Sequence, residues 1–150
     1  MKIQFIGMVW AFKNGVLVAS GNNLVVNGGL TTFCTLMAGG GSPTLQKMAI
    51  GNSSTTPDLG QLALQGTEAQ RVVATVSSSG PLVSVDAVFP GDSSRLSDVI
   101  VREFGIFASD NSMVARWTCA DISLLRTDEL GVNWTIEPTQ QTNTSGGAVA

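Results

Sequence analysis

The stretch Val99 to Phe107, VIVREFGIF, sets two adjacent charges, Arg102 and Glu103, inside a run of branched and aromatic residues, then places a glycine at 105. A carboxylate in such a run has three uses: acid–base chemistry, a structural ion pair, or a subunit contact. For glycoside-type hydrolysis Glu103 would need a second carboxylate, and Glu68 and Asp86 are the candidates. For a structural pair it needs a cation, because a buried carboxylate without one is strongly disfavoured. Arg71, which opens one predicted strand, and Arg116, within another, are both suitable, and the sequence leaves the choice between them open. There is no tyrosine and no aromatic cluster of the kind that forms a sugar platform, so the structural reading is the expected one, with Glu68 as a further member of the charge set.

Alternation along the same stretch puts Val101, Glu103, Gly105 and Phe107 on one face and Ile100, Arg102, Phe104 and Ile106 on the other. Gly105 has no side chain and leaves room for a ring, Phe107 or Trp117, to lie across the strand. Other chemistry is sparse. The chain has no histidine, which removes the usual acid–base group near neutral pH and the commonest metal ligand. Ser-His-Asp and Cys-His nucleophiles cannot be assembled from this chain. Its two cysteines, Cys34 and Cys119, lack metal-site spacing and are expected as small buried thiols. No cofactor and no metal site are expected. The glycan-acceptor tripeptides at Asn52, Asn133 and Asn143 are ordinary matches for a chain rich in Ser and Thr, and carry no weight.

These residues sit in 150 residues, the length of one domain with a real core. Charged residues are 13% of the chain, about half of what soluble domains carry, while 43% are apolar and the net charge is −3. A strongly basic face is excluded, and nucleic acid is not an expected partner. So weakly charged a chain tends to cover its surface with copies of itself or with a larger body. The opening MKIQFIGMVWAF resembles a secretion signal only superficially, since Gln4 and Gly7 interrupt it. No run reaches the 18 or more apolar residues of a membrane span, so a soluble protein with no membrane partner is expected.

Residues 2–12 alternate as a strand, with Ile3, Phe5, Val9 and Ala11 on one side, and Asn14-Gly15 turns it into a hairpin with VLVAS. Leu30, Phe33, Cys34 and Met37 follow at i, i+3, i+4 and i+7, one face of a helix that Asn27 can cap and Gly39–Gly41 stop. Phe33 and Met37 are expected in the core. TLQKMAIG reads as a strand ending at Gly51, and the polar segment 51–68 as a long loop of the kind that is functional or ordered by a partner. RVVATVSSSGPLVSVDAVF gives two strands around Ser79-Gly80-Pro81; the opening stretch, MVARWTCA and GVNWTIE supply the rest. The expectation is a mainly β, sandwich-like domain of about eight mostly antiparallel strands with one short helix packed on it. It spans 1–137, followed by a flexible tail, 138–150.

Taken in order, NLVVNGGLTTFCTLMAGG, KMAIGNSSTTPD, ALQGTEAQR, VREFGIFASDNSMVARW and GVNWTIEP resemble successive elements of small virion proteins of tailed bacteriophages. These include tail-collar fibre N-terminal domains and free-standing proteins of tails and heads. The resemblance covers residues 22–137 and matches Glu68, Arg71, Glu103 and Gly105 to motif positions, with Ser53, Phe104 and Ile106 departing from the pattern. It implies a non-enzymatic structural protein that self-assembles, expected as a homotrimer, and docks on other virion proteins of the tail or collar. The chain's brevity keeps a capsid decoration role as the alternative. A glycan-binding receptor module, using Trp10, Trp117 or Trp134, is a further one. The expected location is the virion, assembled in the host bacterial cytoplasm.

Overall fold

The computed structural model describes residues 2–141. Nine strands, one α-helix and one 3-10 turn follow in the order β1 (Lys2–Lys13), β2 (Val16–Val25), α1 (Asn27–Met37), β3 (Leu45–Gly51), β4 (Glu68–Val73), β5 (Thr75–Ser79), β6 (Leu82–Phe89), the 3-10 turn (Asp92–Ser94), β7 (Val99–Ala108), β8 (Met113–Leu124) and β9 (Leu130–Gln141). The fold is mainly antiparallel β with one short helix. The strands form one nearly closed sheet, ordered β4-β3-β7-β8-β2-β1-β9-β6-β5.

The sheet doubles back on itself along β2. Most of β2 pairs with β1 in one layer, while only Leu24 and Val25 pair with Arg116 and Ala115 of β8 in the other. The two layers enclose a core of Val9, Ala11, Val85, Phe89, Phe104, Ile106, Trp117, Leu130 and Trp134, among others. Alternation in β1 holds as expected: Val9 and Ala11 are fully buried, while Ile6 on the other side is exposed. Asn14 and Gly15 both take positive φ in the β1–β2 turn, a conformation these two residue types tolerate best.

The run expected as one strand from Arg71 to Ser79 is two. At Ala74 the chain leaves the β3 layer, where β4 pairs with β3, and enters the other, where β5 pairs with β6. A change of layer does not alter the residue pattern, which is why eight strands become nine. The last strand also runs further than 137. Lys2 to Phe5 of β1 pair with Gln141 to Pro138 of β9, so 138–141 belong to the sheet. Pro138 is tolerated there because pairing with β6 has already ended at Ile136, leaving no ladder hydrogen bond for its missing N–H. Residues 142–150, the rest of the expected tail, lie outside the described residues.

The helix is the largest departure. Its buried residues are Gly29 and Thr32, not the apolar stripe. A Cβ on Gly28 would lie 2.8 Å from the Met113 carbonyl oxygen, and one on Gly29 would run into that of Val114. Two glycines thus let the helix backbone lie directly on β8. Thr32 closes the contact by donating to the Gly28 carbonyl at 3.0 Å. The helix is consequently rotated so that Leu30, Cys34 and Met37 face outward, Met37 being 75% exposed. Phe33 is half-buried against Phe5, ring centroids 4.7 Å apart. Asn27 does not cap the helix; Val26 occupies that position without a side-chain cap.

Candidate functional site: a buried ion pair under a stapled loop

Glu103 and Arg116 are both fully buried. They stand on adjacent strands β7 and β8, on the outer face of the layer, away from the main core. Arg116 donates from Nε and Nη2 to Oε1 of Glu103 at 3.1 and 3.0 Å. Of the two arginines that could take this carboxylate, Arg116 does. Arg71 instead makes a bidentate pair with Glu68, at 3.2 and 2.8 Å, at the surface.

What buries the pair is the loop 52–67. The backbone N–H groups of Ser53 and Gly66 donate to Glu103 Oε2 at 2.9 and 2.8 Å, and that of Gln65 to Oε1 at 2.8 Å. The remaining N–H groups of Arg116 are turned to the same loop: Nη1 donates to the Thr55 carbonyl at 2.6 Å and to Gln61 Oε1 at 3.2 Å, and Nη2 to the Ser53 carbonyl at 3.5 Å. Both charges are thereby saturated, the condition under which a buried pair is tolerated. Glu103 has no oxygen free for a substrate. Glu68 is held by Arg71, and Asp86 lies in the other layer, accepting from Asn133. The three carboxylates considered for hydrolysis do not converge.

Two glycines make the space. A Cβ on Gly51 would sit 2.7 Å from Glu103 Oε2, and one on Gly66 would sit 2.8 Å from it and 2.7 Å from the Ser53 nitrogen. Asn52 adds a second staple, accepting from the Thr67 N–H at 2.8 Å. Sequence reasoning missed these residues, although Gly51 and Gly66 at the two ends of a polar loop are a readable mark of close backbone approach.

Gly105 lets Phe107 lie across the strand: a Cβ there would meet the Phe107 ring at 2.9 Å and Leu64 at 3.0 Å. The Arg71 guanidinium stands over that ring, 3.9 Å from its centroid. Phe107, Leu64, Val26, Ala49 and Met113 form a small second core between the sheet and its cover of loop and helix. Trp117 is not the ring at Gly105; it packs on Phe104 in the main core, centroids 4.9 Å apart. Alternation fails at one point. A register shift between Val101 and Glu103 sends Val101 into the main core with Phe104 and Ile106, not to the Glu103 face. Arg102, at that shift, reaches Asp121 at 2.7 and 3.3 Å and the Asn52 carbonyl at 3.1 Å. The carboxylate holds the Arg102 pKa above its usual value, and the guanidinium holds that of Asp121 below the usual carboxylate range.

A second buried arginine had no mark in the sequence. Arg95, 3% exposed, donates to the carbonyls of Pro90, Leu125, Arg126 and Asp128 and to Gln70 Oε1. It ties the segment before β7 to the 125–129 connection, and burial lowers its pKa. Cys34 is exposed and Cys119 half-buried, so the expectation of two buried thiols is corrected. Burial, and secondarily Asp121, push the Cys119 thiol up to about 11.

Beside the helix a groove runs between β1, β2 and the loop, bordered by Ile6, Leu30 and Leu59, with no charged residue in its lining. Asn23 also lines it, and both polar atoms of its amide are buried without a hydrogen-bond partner. Trp117 and Trp134 are buried and Trp10 half-buried. Among the described residues no group of three or more His, Cys, Asp or Glu could hold a metal ion, and no helix is long and apolar enough to cross a membrane. No protein-family model matches the chain, and neither does any curated protein or solved structure.

Proposed function

We propose that this chain is a non-enzymatic structural protein of a tailed-bacteriophage virion, a self-assembling β-rich module that docks on the tail or collar. The observation that carries this reading is the outward-turned helix. A helix with an apolar stripe normally buries it, yet α1 turns Leu30, Cys34 and Met37 to solvent and seats itself through glycines. The stripe continues across the uncharged groove to Ile6 and Leu59, an arrangement suited to the desolvated centre of a protein–protein contact. Its occupant on this reading is a neighbouring virion protein, whose backbone supplies hydrogen bonds at the groove. The saturated Glu103–Arg116 pair serves the same end, since it makes the loop beside the groove a rigid wall.

Immunogold labelling of purified virions that contain the protein tests this. Gold at the tail or collar is the expected result, and gold over the head moves the protein to capsid decoration. Absence from washed virions overturns the proposal. Leu30→Asp combined with Met37→Asp is expected to fold normally and to lower incorporation at least tenfold.

A further inference from the structure

Among the described residues, three buried side chains lack a full set of hydrogen bonds. Arg95 and Trp134 each lack a partner at one nitrogen, whereas Asn23 lacks one at both polar atoms of its amide. Buried polar groups are bonded in the great majority of cases, so such an exception needs an explanation. The seat of this amide is built for it. Gly7 stands opposite Asn23 in the β1–β2 register, and a Cβ on Gly7 would run into the Asn23 amide.

The amide also stands at a fork. β1 pairs with β9 from Lys2 to Lys13, but with β2 only from Gly7 onward. There β2 leaves for the other layer, where Leu24 and Val25 pair with β8. Residues 2–6 of β1 thus have a ladder partner on one side only. The groove fills the gap of the fork: β1 lines it with Gln4–Gly7 and β2 with Asn22–Val25. β7 has a comparable free stretch, Val99–Arg102 on its β3 side, but the depression beside it is lined by Glu68, Arg95, Asp98 and Arg102. Charges are a usual guard of an open edge, and the β1 groove has none.

Resting on the docking reading above, we infer that the groove is a strand-addition site. An extended, uncharged segment of the neighbouring virion protein pairs with the free side of β1 at Gln4–Ile6 and is held at the fork by Asn23. Three features select this occupant. The unpaired backbone of a strand is matched by another extended backbone. An amide side chain offers an acceptor and donors side by side, the complement of the N–H and C=O of an extended residue. A lining without charge would leave an ionic side chain unpaired, so the segment is neutral, with alternate apolar side chains against Phe5, Leu30 and Leu59. Leu30 makes the groove continuous with the outward stripe of α1.

The test is an NMR titration of the full chain, labelled with nitrogen-15, by a neutral peptide of alternating valine and threonine, acetylated and amidated at its ends. The Asn23 side-chain NH2 signals and the amides of Gln4–Gly7 are expected to shift. A control peptide with methylated inner nitrogens keeps the side chains but loses the N–H donors. It is expected to bind about tenfold more weakly, the worth of a lost hydrogen bond. Equal binding of the two peptides overturns strand pairing, and no shift at millimolar peptide overturns the site; both leave the docking reading standing. Asn23→Leu removes the unsatisfied amide at similar volume, so it is expected to keep the melting temperature while weakening the peptide about tenfold. Unchanged binding by that variant counts against the role of Asn23. In virions, Ile6→benzoylphenylalanine is expected to photocrosslink to a neutral segment of a different virion protein, identified by mass spectrometry. A crosslink to a second copy of this chain overturns the proposed occupant. Absence of the protein from virions overturns the docking reading, while the titration still decides whether the β1 edge accepts a strand.

Discussion

Glu103 shows how a carboxylate in a strand becomes architecture. It accepts from two nitrogens of Arg116 and three backbone N–H groups, so its removal strands a buried cation and frees a loop in one step. Glu103→Gln is expected to destabilise the protein by about 3–5 kcal/mol, the range for breaking a buried pair by loss of one partner. Denaturant unfolding measures this, and a loss below about 1 kcal/mol would contradict the stapling role. Asp128 gives a pH dependence. The Asn14 amide, then the Leu125 N–H, hold its pKa below the usual carboxylate range. Its folded pKa is thus lower than its unfolded one, so the stabilisation is present above about pH 4 and is lost as the pH falls through that value and below. Melting curves should show Asp128→Asn less stable than wild type at pH 6 and the gap closing by pH 2. Cys119, with its thiol at about 11, should resist alkylation at pH 8 while the exposed Cys34 is labelled promptly, as intact mass would show.

At the scale of elements, two close approaches position everything above the outer face of the β3–β7–β8 layer. Helix α1 touches β8 through backbone, so Gly29→Ala forces a Cβ against the Val114 carbonyl and must lift the helix. The expected cost is about 3 kcal/mol, at the upper end for overpacking, with the loss of protection from exchange concentrated in 27–37. Gly105→Val is expected to cost about 2 kcal/mol by displacing Leu64 and the Phe107 ring, over which Arg71 stands. The softer response follows from what moves: a ring and a leucine tip can shift, whereas a carbonyl in a paired strand cannot. Loop 52–67 has its order supplied from beneath, by Glu103 and Arg116, rather than by an external partner, the reverse of what its polar composition suggests.

On the scale of the whole molecule, one side carries the uncharged groove and the outward stripe of α1. If the stripe is a docking surface and not a misplaced core face, making it polar leaves folding intact. Leu30→Asp with Met37→Asp should change the unfolding free energy by less than about 0.5 kcal/mol each, as surface substitutions do. A combined loss of several kcal/mol would place these side chains in the core after all.

Local pattern carried the class of the fold and most of its strands. Alternation in β1, the Asn14-Gly15 turn, the hairpin at Gly80-Pro81 and the placement of Glu103 and Gly105 on one face are all properties of a few neighbouring residues. The need of a buried carboxylate for a cation was legible in the same way, down to a choice of two arginines. Only the tertiary structure decided which one, because that depends on β8 lying beside β7 and on where register shifts fall. It also decided the helix. Spacing at i, i+3, i+4 and i+7 defines an apolar face but not its direction, and the glycines at 28 and 29 made the backbone face the one that packs. The layer change at Ala74 and the burial of Arg95 are likewise relations between distant segments. No window of the sequence contains them, since each depends on which strand stands next to which.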